Sequence, residues 1–338
     1  MKFLVIRFSS IGDIVLASPV LRCLKKQVIT AEVHFLTKSS FKPVTISNPY
    51  IDKFFYYDND IDAVINLLKQ EQYDYVIDLH NNFRSNKVKR SLGVKSYTID
   101  KLNFQKFLLT KLSIDIMPKR HITKRSLDTV AHFGVKDDEG GLDYYIPDED
   151  MVNESDIPAS HHAGYIAIVI GASYHTKKLP VHKLIALCTA INHPIILIGG
   201  KEDADVGAAV AAAISEGKVY NACGKFNLNE SADLVRRAKL VISHDTGLQY
   251  IASALNKQVL AIWGSTSPRL DVEPYYSKAF LATQKESPYE NIIRQPELRC
   301  QPCSKYGNKK CPLGHFKCME QMDINYIVSR VEYRLGRQ

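Results

Sequence analysis

The sequence predicts an α/β protein with two Rossmann-like domains, each built around a parallel sheet. Its 338 residues are enough for two domains of roughly 150 residues each. Short apolar runs of β-forming residues alternate with helical patterns along most of the chain, which is typical of βαβ units. An acidic, proline-containing and aperiodic stretch around Asp143–His162 interrupts this alternation and is the predicted linker. Because 45% of the residues are apolar and 24% are charged, bulk disorder is excluded.

The first predicted domain covers residues 1–155 and opens with the strand Lys2–Arg7. A loop of small residues follows this strand, and Asp13 begins a helical pattern. Pro19 falls early in that helix, where a missing backbone N–H costs least. The other elements predicted in this half are the strands Glu32–Thr37 and Tyr75–Leu79 and the helix Ile61–Lys69.

The second predicted domain covers residues 156–321 and repeats the alternation of strands and helices. Asn229 is the predicted N-cap of the helix Glu230–Ala238, and the last segment, 322–338, contains the helix Ile324–Leu335. The other predicted elements are the strands Gly164–Ile170, Ile195–Ile198, Leu240–Ser243 and Val259–Trp263 and the helices Val181–Ala190, Asp203–Ile214 and Leu248–Leu255. Ligands of such sheets bind beyond the carboxyl ends of the strands, so loops at those ends are expected to line one cleft if the two domains face each other.

The net charge of +8 makes polyanions, phosphorylated substrates or an anionic membrane surface the expected partners. Positive charge is concentrated between Arg84 and Arg125, where twelve Lys and Arg residues are opposed by two Asp residues. Interleaved phenylalanines and leucines make part of this basic stretch amphipathic, which suits a membrane surface with phosphorylated lipid. Nucleic acid is the alternative, although no base-reading module is visible, and a solvated helical face is the third.

The N-terminal residues 1–19 resemble a signal peptide in their first positions only. Arg7 and Asp13 interrupt the apolar core that such a peptide requires, so we expect a first β-strand in a cytoplasmic protein. No apolar run approaches the roughly 20 residues of a membrane span. Neither a GxGxxG after the first strand nor a GxxxxGK[ST] motif is present, which argues against a dinucleotide oxidoreductase and a P-loop NTPase.

Asp245, Thr246 and Gly247 form a loop immediately before a predicted helix. Free N–H groups and the positive end of the helix dipole favour a phosphate there, and Gly247 allows the phosphate to approach the backbone. Thr246 adds a hydroxyl donor. Because a bare carboxylate repels phosphate, Asp245 is expected to accept hydrogen bonds from sugar hydroxyls or from the loop backbone. An Asp-capped tight turn is the alternative.

Two further loops carry candidate chemistry. The loop from Gly171 to Pro180 also ends at a predicted helix, and a lysine in it could neutralise a diphosphate leaving group; a solvated basic turn is the alternative. Asp13 opens the first helix, where the dipole keeps a carboxyl pKa low. If Asp13 faces the cleft it could act as general base on a hydroxyl, and otherwise it is an N-cap.

Four of the seven cysteines form the pattern C-x₂-C-x₇-C-x₆-C near the end of the chain, with His315 inside it. Paired cysteines at such spacings could bind zinc, although only the first pair has knuckle-like spacing. A small thiol-rich packing element or labile disulfides are the alternatives. The four residues are Cys300, Cys303, Cys311 and Cys318.

The segment from Arg7 to Pro19, RFSSIGDIVLASP, resembles the N-terminal signature of glycosyltransferase family 9, the ADP-heptose:lipopolysaccharide heptosyltransferases. The residues from Asp245 to Leu255, with Gly264–Pro268, resemble the donor-site segment of that family. Thr176–Pro180 matches a third family segment, and the cysteine pattern is similar to one found in many members. The resemblance runs nearly from end to end.

This resemblance implies a GT-B fold, in which two Rossmann-like domains face each other across a cleft and the last helix, in 322–338, crosses back to the first domain. It implies inverting, metal-independent transfer of a heptose from ADP-heptose to a lipopolysaccharide core acceptor, with no cofactor. Such an enzyme is expected in the cytoplasm at the inner face of the inner membrane, and nucleic acid is not an expected partner.

The resemblance also assigns roles to individual residues. Asp13 is expected to be the catalytic base on the acceptor hydroxyl, and the acceptor is expected near Gly12 and the basic residues of the first domain. The expected donor-binding residues are Ser173, Lys177, Phe226, Asp245, Thr246 and Gly247, and the expected acceptor-binding residues are Gly12, Arg84 and Lys87.

One residue departs from the family pattern. The family usually has His three residues after the glycine that corresponds to Gly247, and this chain has Tyr250. A tyrosine can donate a hydrogen bond but is neutral near pH 7. A GT-B enzyme with another nucleotide-sugar donor or acceptor is therefore the second hypothesis, and a non-catalytic protein that binds anionic lipid or nucleic acid is the third.

Overall fold

The computed structural model describes residues 1–336 and divides the chain into two compact units. Unit 1 consists of residues 1–102, 120–145 and 275–280. Unit 2 consists of residues 103–119, 146–274 and 281–336. The main division falls inside the predicted linker, but neither unit is a continuous segment.

Unit 1 contains a five-stranded parallel sheet with the strand order β3-β2-β1-β4-β5. Because the chain starts in the middle, moves to one edge and then returns to the other side, the order reverses between β1 and β4. Such a switch point opens a crevice at the carboxyl ends of the two strands. The elements are β1 (Lys2–Ile6), α1 (Ile11–Leu16), α2 (Ser18–Gln27), β2 (Glu32–Lys38), α3 (Lys42–Thr45), β3 (Lys53–Tyr57), α4 (Ile61–Gln70), β4 (Tyr75–Asp78), α5 (Phe83–Leu92) and β5 (Lys95–Thr98).

The first strand shows why this sheet is buried on both faces. Phe3 and Val5 pack into one apolar cluster, and Leu4 and Ile6 pack into another on the opposite side. Successive side chains of a strand point to opposite faces, so an uninterrupted apolar run is what a doubly covered parallel strand requires.

The predicted first helix is two helices. α1 ends at Leu16, and α2 begins at Ser18 with Pro19 in its first turn. Proline has no N–H to donate and its ring clashes with the carbonyl four residues earlier, so the first helix cannot continue through it. The Ser18 hydroxyl donates to the Val15 carbonyl at 2.7 Å.

Residues 103–127 contribute three short helices. Two of them, α6 (Asn103–Phe107) and the π-helical turn Leu108–Leu112, belong to unit 2, whereas α7 (Ile122–Leu127) belongs to unit 1. The sequence predicts the segment 103–119 in the first domain. In unit 2 the Ser113 hydroxyl donates to the Arg299 carbonyl at 2.9 Å, and Lys305 Nζ lies 3.3 Å from Asn103 Oδ1.

Unit 2 contains a six-stranded parallel sheet with the strand order β11-β10-β9-β6-β7-β8. Its switch point lies between β6 and β9. The elements are β6 (Ile166–Val169), α8 (Val181–Ala190), β7 (Ile195–Ile198), α9 (Ala204–Ala212), β8 (Val219–Asn221), α10 (Leu228–Arg237), β9 (Leu240–His244), α11 (Gly247–Ala254), β10 (Val259–Ile262), β11 (Tyr289–Ile292), α13 (Lys317–Glu320) and α14 (Ile324–Leu335). The helix α12 (Lys278–Thr283) begins in unit 1 and ends in unit 2. Single 3₁₀ turns lie at Ser39–Phe41, Ala131–Phe133, Asp148–Asp150, Glu154–Asp156, Ala159–His161, His175–Lys177, Lys201–Asp203 and Pro268–Leu270.

The N-cap of α10 is Asn227, not the predicted Asn229. The side chain of Asn227 accepts hydrogen bonds from the N–H groups of Asn229 and Glu230, at 2.8 and 3.0 Å. The Glu230 carboxylate in turn accepts from the Asn227 N–H at 2.6 Å, which completes a capping box. The side chain of Asn229 instead donates to Asp150 at 2.9 Å.

The last helix differs from the expectation that it returns to the first domain. α14 belongs to unit 2, where Ile327 and Val331 lie in one apolar cluster with Leu184 and Leu187 of α8. The prediction of two Rossmann-like domains with parallel sheets is confirmed.

Candidate functional site

The switch point of the unit 2 sheet holds a buried ion pair. Lys177 lies in the loop after β6, and Asp245 directly follows β9. The Lys177 ammonium is 2.7 Å from Asp245 Oδ2 and also donates to the Asp245 carbonyl oxygen at 2.9 Å. Only 14% of the Lys177 side chain and 10% of the Asp245 side chain are exposed. The sequence predicts both residues for this site but gives no sign that they bond to each other.

The Asp245 carboxylate organises the loops around it. Thr266, in the loop after β10, donates to Asp245 Oδ2 at 2.8 Å, and the Tyr250 hydroxyl lies 3.3 Å from Oδ1. Both carboxylate oxygens therefore bond to protein groups. Asp245 ties together loops that follow β6, β9 and β10.

The first turn of α11 adjoins this ion pair. Thr246 is the N-cap of α11, but no side chain caps the helix. Thr246 and Gly247 are both partly exposed. The alternative of an Asp-capped turn is therefore wrong, because Asp245 accepts its hydrogen bonds elsewhere. The positive end of the helix dipole and its first N–H groups are directed to this edge of the sheet, which favours an anion.

Tyr250, the residue that departs from the family pattern, is buried against this loop. Its hydroxyl lies 2.7 Å from the Val272 carbonyl oxygen and 3.3 Å from Asp245 Oδ1. The tyrosine thus bridges the Asp245 carboxylate and the segment that follows the 3₁₀ turn Pro268–Leu270.

Replacing Tyr250 with Phe is expected to lower the free energy of unfolding by about 1–2 kcal/mol, because the half-buried Val272 carbonyl oxygen and the buried Asp245 carboxylate both lose a donor. Urea unfolding followed by circular dichroism measures this change. Tyr306→Phe, at an exposed side chain of the same unit, is the control and should change stability by less than about 0.5 kcal/mol. Equal stabilities of Tyr250→Phe and the parent protein would contradict the assigned bridge.

Two other predicted donor residues lie in loops at the same edge of the sheet. Ser173 is exposed in the loop after β6, and Phe226 is half-buried in the loop after β8, against the apolar cluster of this face. Within residues 1–336 no hydrogen bond or ion pair joins either side chain to Lys177 or Asp245. Their predicted roles stay predictions.

Asp13 lies at the switch point of the unit 1 sheet, in the third position of α1. Ser10 is the N-cap of that helix, so the N-cap alternative for Asp13 is wrong. One Asp13 oxygen accepts from the Ser10 N–H at 3.1 Å and from the Ser10 hydroxyl at 2.9 Å, and the other is 2.5 Å from the Arg7 guanidinium. The Asp13 side chain remains 38% exposed.

The protonation of Asp13 follows from these neighbours. Burial on its own raises the pKa of Asp13, but the charge of Arg7 and the hydrogen bonds from Ser10 outweigh burial and lower the pKa to about 2. Arg7 is itself held in place, because its Nε donates to the Ser9 carbonyl at 2.9 Å and another of its nitrogens donates to the Leu79 carbonyl. Asp13 is therefore a permanent carboxylate near neutral pH.

His80, which sequence reasoning did not select, lies in the loop after β4 on the other side of this switch point. Its ring packs against Phe8 with centroids 4.9 Å apart, and its Nδ1 atom is buried without a partner among the described residues. Burial first, and then the charges of Arg7 and Lys101, lower the pKa of His80 to about 4. The imidazole is neutral at pH 7 and keeps one ring nitrogen unused.

The predicted acceptor residues have separate environments. Gly12 is buried inside α1, and Arg84 is exposed in the first turn of α5. Lys87 forms an ion pair with Asp62 of α4 at 2.6 Å. The basic stretch that contains Arg84 and Lys87 is divided between the two units, because its residues 103–119 belong to unit 2.

The four clustered cysteines all line one cavity in unit 2, together with His315. All four thiols are free. Burial first, and then the neighbouring thiols, raise the pKa of Cys318 to about 12 and raise that of Cys303. The cluster therefore brings together Cys300, Cys303, Cys311 and Cys318.

Two parallel-sheet α/β domains, together with structural neighbours that are GT-B heptosyltransferases, place this protein in the GT-B class of glycosyltransferases. The sequence model of the family described as "Glycosyltransferase family 9 (heptosyltransferase)" matches residues 61–313. The chain belongs to glycosyltransferase family 9, as the resemblance of its motifs predicted.

Three known proteins illustrate the similarity. Lipopolysaccharide heptosyltransferase 1 of Campylobacter coli is 28% identical over 304 residues, which cover 83% of this chain and 86% of that protein. The family 9 glycosyltransferase of Veillonella parvula superposes with a TM-score of 0.79 at 19% identity, covering 100% of this chain and 98% of the other. E. coli heptosyltransferase WaaC, solved with ADP-2-deoxy-2-fluoro heptose, gives a TM-score of 0.65 at 17% identity, with 98% and 99% of the two chains covered.

Proposed function

We propose that this protein transfers a heptose from ADP-heptose to an inner-core acceptor of lipopolysaccharide, with inversion at the anomeric carbon. The observation that carries the proposal is the Lys177–Asp245 ion pair beside the first turn of α11, at the switch point of the unit 2 sheet. Membership of family 9 supports a heptosyl donor. The names of the C. coli relative and of the WaaC complex support lipopolysaccharide and an ADP-linked sugar.

In this proposal the diphosphate of the donor binds at the start of α11. The N–H groups of the first turn and the Lys177 ammonium supply positive charge where negative charge develops as ADP leaves. Thr246 and Gly247 are small enough to let the phosphates approach. Ser173 adds a hydroxyl donor to the phosphates, and Phe226 offers an apolar surface to the adenine. Asp245 keeps Lys177 in place.

The transfer step is a single displacement. The acceptor hydroxyl oxygen forms a bond to the anomeric carbon while the bond from that carbon to the diphosphate oxygen breaks, and ADP departs with the electron pair. The hydroxyl proton passes to the Asp13 carboxylate. A carboxylate with a pKa of about 2 is a weak base, but the proton becomes acidic as the new bond forms, so Asp13 needs only to be ionised and close.

The acceptor is proposed to approach from the membrane surface. The segment 103–116 exposes several large apolar side chains between lysines, and Arg84 and Lys87 of the basic stretch complement acceptor phosphates. No helix within residues 1–336 is long and apolar enough to span a bilayer. We infer a peripheral contact with the inner face of the inner membrane. The exposed apolar residues are Phe104, Phe107, Leu112, Ile114 and Ile116.

The experiment is a turnover assay with a heptose-deficient lipopolysaccharide acceptor, in which ADP-heptose competes with UDP-, GDP- and CDP-sugars. The proposal expects an acceptor product heavier by one heptose with the ADP sugar alone. A thermal-shift series with the same donors gives the donor preference separately, because a ligand at 100 times its Kd adds about 2.7 kcal/mol of stability.

Tyr250 favours one other outcome, a GT-B enzyme with a different donor sugar, because it occupies the position where the family usually has His. Greater stabilisation and turnover with a UDP-, GDP- or CDP-sugar would establish that alternative. Duplex DNA that binds more tightly than the acceptor lipid, with no turnover, would favour the non-catalytic hypothesis.

A further inference from the structure

We propose that Cys300, Cys303, Cys311 and Cys318 bind one divalent transition metal ion through four thiolates, and that this metal braces the loops that carry Lys177 and Asp245. Four sulfurs around one cavity are a soft donor set, which zinc and iron prefer. The first two cysteines have the C-x₂-C spacing of a metal knuckle. The proposed metal is structural and takes no part in the transfer step.

Two of the four sulfurs accept a hydrogen bond from a nearby N–H group, and a third is approached by His315. The Phe316 backbone N–H donates to Cys311 Sγ at 3.4 Å, and the Asn308 side-chain amide donates to Cys303 Sγ at 3.8 Å. Neutral thiols are weak acceptors, whereas donors aimed at sulfur stabilise a metal-bound thiolate. These contacts fit a metal site better than an apolar packing element.

His315 is assigned as a hydrogen-bond donor to the cluster. Its Nδ1 accepts from the Lys317 backbone N–H at 3.0 Å, so in the neutral ring the proton sits on Nε2. Nε2 lies 3.9 Å from Cys300 Sγ and therefore directs an N–H at that sulfur. A histidine in this tautomer orients a thiolate ligand, which leaves the four cysteines as the metal ligands.

The thiols are more widely spaced than in a closed tetrahedral site. Among residues 1–336, the side chains that place three ligand atoms within 4.8 Å of one another are Glu32, His34 and Glu71. The ammonium of Lys2 already bonds to both of those carboxylates, at 3.3 and 3.2 Å, and Lys53 forms a second ion pair with Glu71, so these carboxylates already have protein partners. Metal binding at the cysteines has to draw the four sulfurs inward by rotation of their side chains.

The segment that contains the four cysteines, residues 300–318, is hydrogen-bonded to the loop after β10. These bonds connect a metal at the cysteines to the proposed function. The backbone N–H of Cys303 donates to the Ser265 carbonyl at 3.0 Å, and the side chain of Gln301 donates to the Gly264 carbonyl at 2.7 Å. Thr266, which holds Asp245, follows directly in that loop.

Thr176, the residue before Lys177, is bonded to the same segment. Its hydroxyl lies 2.7 Å from the Ser265 hydroxyl, and it also accepts from the Asn308 backbone N–H at 2.7 Å. Because Thr176 and Thr266 connect this segment to Lys177 and Asp245, greater mobility of residues 300–318 is expected to displace both partners of the ion pair.

The first test is metal content. Full-length protein purified without chelators should contain about one zinc or iron per chain by plasma mass spectrometry. After metal removal and reconstitution with Co²⁺, it should show the visible bands of a tetrahedral cobalt–thiolate centre. Cys300→Ser with Cys303→Ser should abolish both signals, whereas Cys188→Ala, at a buried thiol of α8 outside the cluster, should retain them. Metal-free wild-type protein that fails to develop the cobalt bands, or mass spectrometry that shows disulfides among the four cysteines, would overturn the site.

The second test asks whether the metal holds the loops of Lys177 and Asp245 in place for ADP binding, and it rests on the proposed function. Removal of the metal should weaken ADP binding by about fivefold or more in calorimetry, and re-addition of Zn²⁺ should restore it. A rise in the KM of the donor with a nearly constant kcat is the expected kinetic pattern. Equal ADP affinity with and without metal would overturn the bracing role. Because metal content is measured without substrate, failure of the metal site and failure of the proposed transferase activity are distinguishable.

Discussion

Asp13→Asn is expected to lower kcat by about 10²–10⁴-fold while leaving the Kd for ADP unchanged. The amide is nearly the same size as the carboxylate and can still accept from Ser10, but it cannot take a proton from the acceptor hydroxyl. Donor binding is proposed to depend on residues of unit 2, so it should not respond. Steady-state kinetics with ADP-heptose and calorimetry with ADP measure the two quantities.

Asp60→Asn is the matched control, because it makes the same chemical change at a carboxylate of the same unit. Asp60 is the N-cap of α4, where Asn is an equally good cap, so kcat and stability should both stay near the parent values. Thermal unfolding of Asp13→Asn checks that the helix α1 still forms. Turnover equal to the parent, in folded Asp13→Asn protein, would remove Asp13 from the role of base.

The pH dependence follows from the lowered pKa of Asp13. A carboxyl whose pKa falls from 3.8 in the unfolded chain to about 2 in the folded protein contributes stability that is present above pH 4 and lost as the pH falls toward 2. Titration of Asp13 therefore should cause no loss of kcat/KM between pH 5 and 8. Carbon NMR of the Asp13 carboxyl checks the value directly, and a midpoint above pH 4 would contradict the ion pair with Arg7.

Lys177→Ala is the second change with a large expected effect, and it should weaken the binding of ADP and of ADP-heptose about 10- to 100-fold. A charge-assisted hydrogen bond to a phosphate contributes about 1.5–3 kcal/mol, and each 1.4 kcal/mol is a factor of ten. The substitution also leaves the Asp245 carboxylate without its counter-charge at the place where the diphosphate binds. Isothermal titration calorimetry measures both affinities.

Lys183→Ala is the control for this experiment. It removes the same charge from unit 2, but the Lys183 ammonium bonds to the Met322 carbonyl, so ADP affinity should change less than about twofold. A second comparison, Lys177→Ala with Asp245→Asn in one protein, separates repulsion by Asp245 from loss of the lysine. ADP affinity of Lys177→Ala equal to that of the parent would remove Lys177 from the donor site.

The sequence predicted the interior strands of both sheets and missed the edges. β3, β5, β8 and β11 are the four strands that the pattern did not indicate, and each of them ends a sheet. Interior parallel strands are covered on both faces and carry continuous apolar runs, which are visible in the sequence. An edge strand such as β5, KSYT, is largely exposed and carries no such run.

For the site, the sequence predicted where individual residues lie but not which residues they contact. Loops that follow interior strands could be placed from the sequence, so the positions of Asp13, Lys177 and Asp245 at the switch points could be predicted. The partners that set their chemistry could not be found in this way: Arg7 and Thr266 reach the two carboxylates only because separate loops meet at a switch point. Arg7 was visible as a charge at the end of the first strand, but nothing in the sequence indicated its bond to Asp13.

The route of the chain through the two units limits how relatives can be recombined. Residues 103–119 are encoded within the first half but lie against Arg299 and Lys305 of the second. A chimera joined once near residue 145 would therefore place a foreign segment against the native cysteine region. A chimera that keeps both units intact requires five junctions, because residues 103–119 and 275–280 each belong to the other unit from the sequence that flanks them.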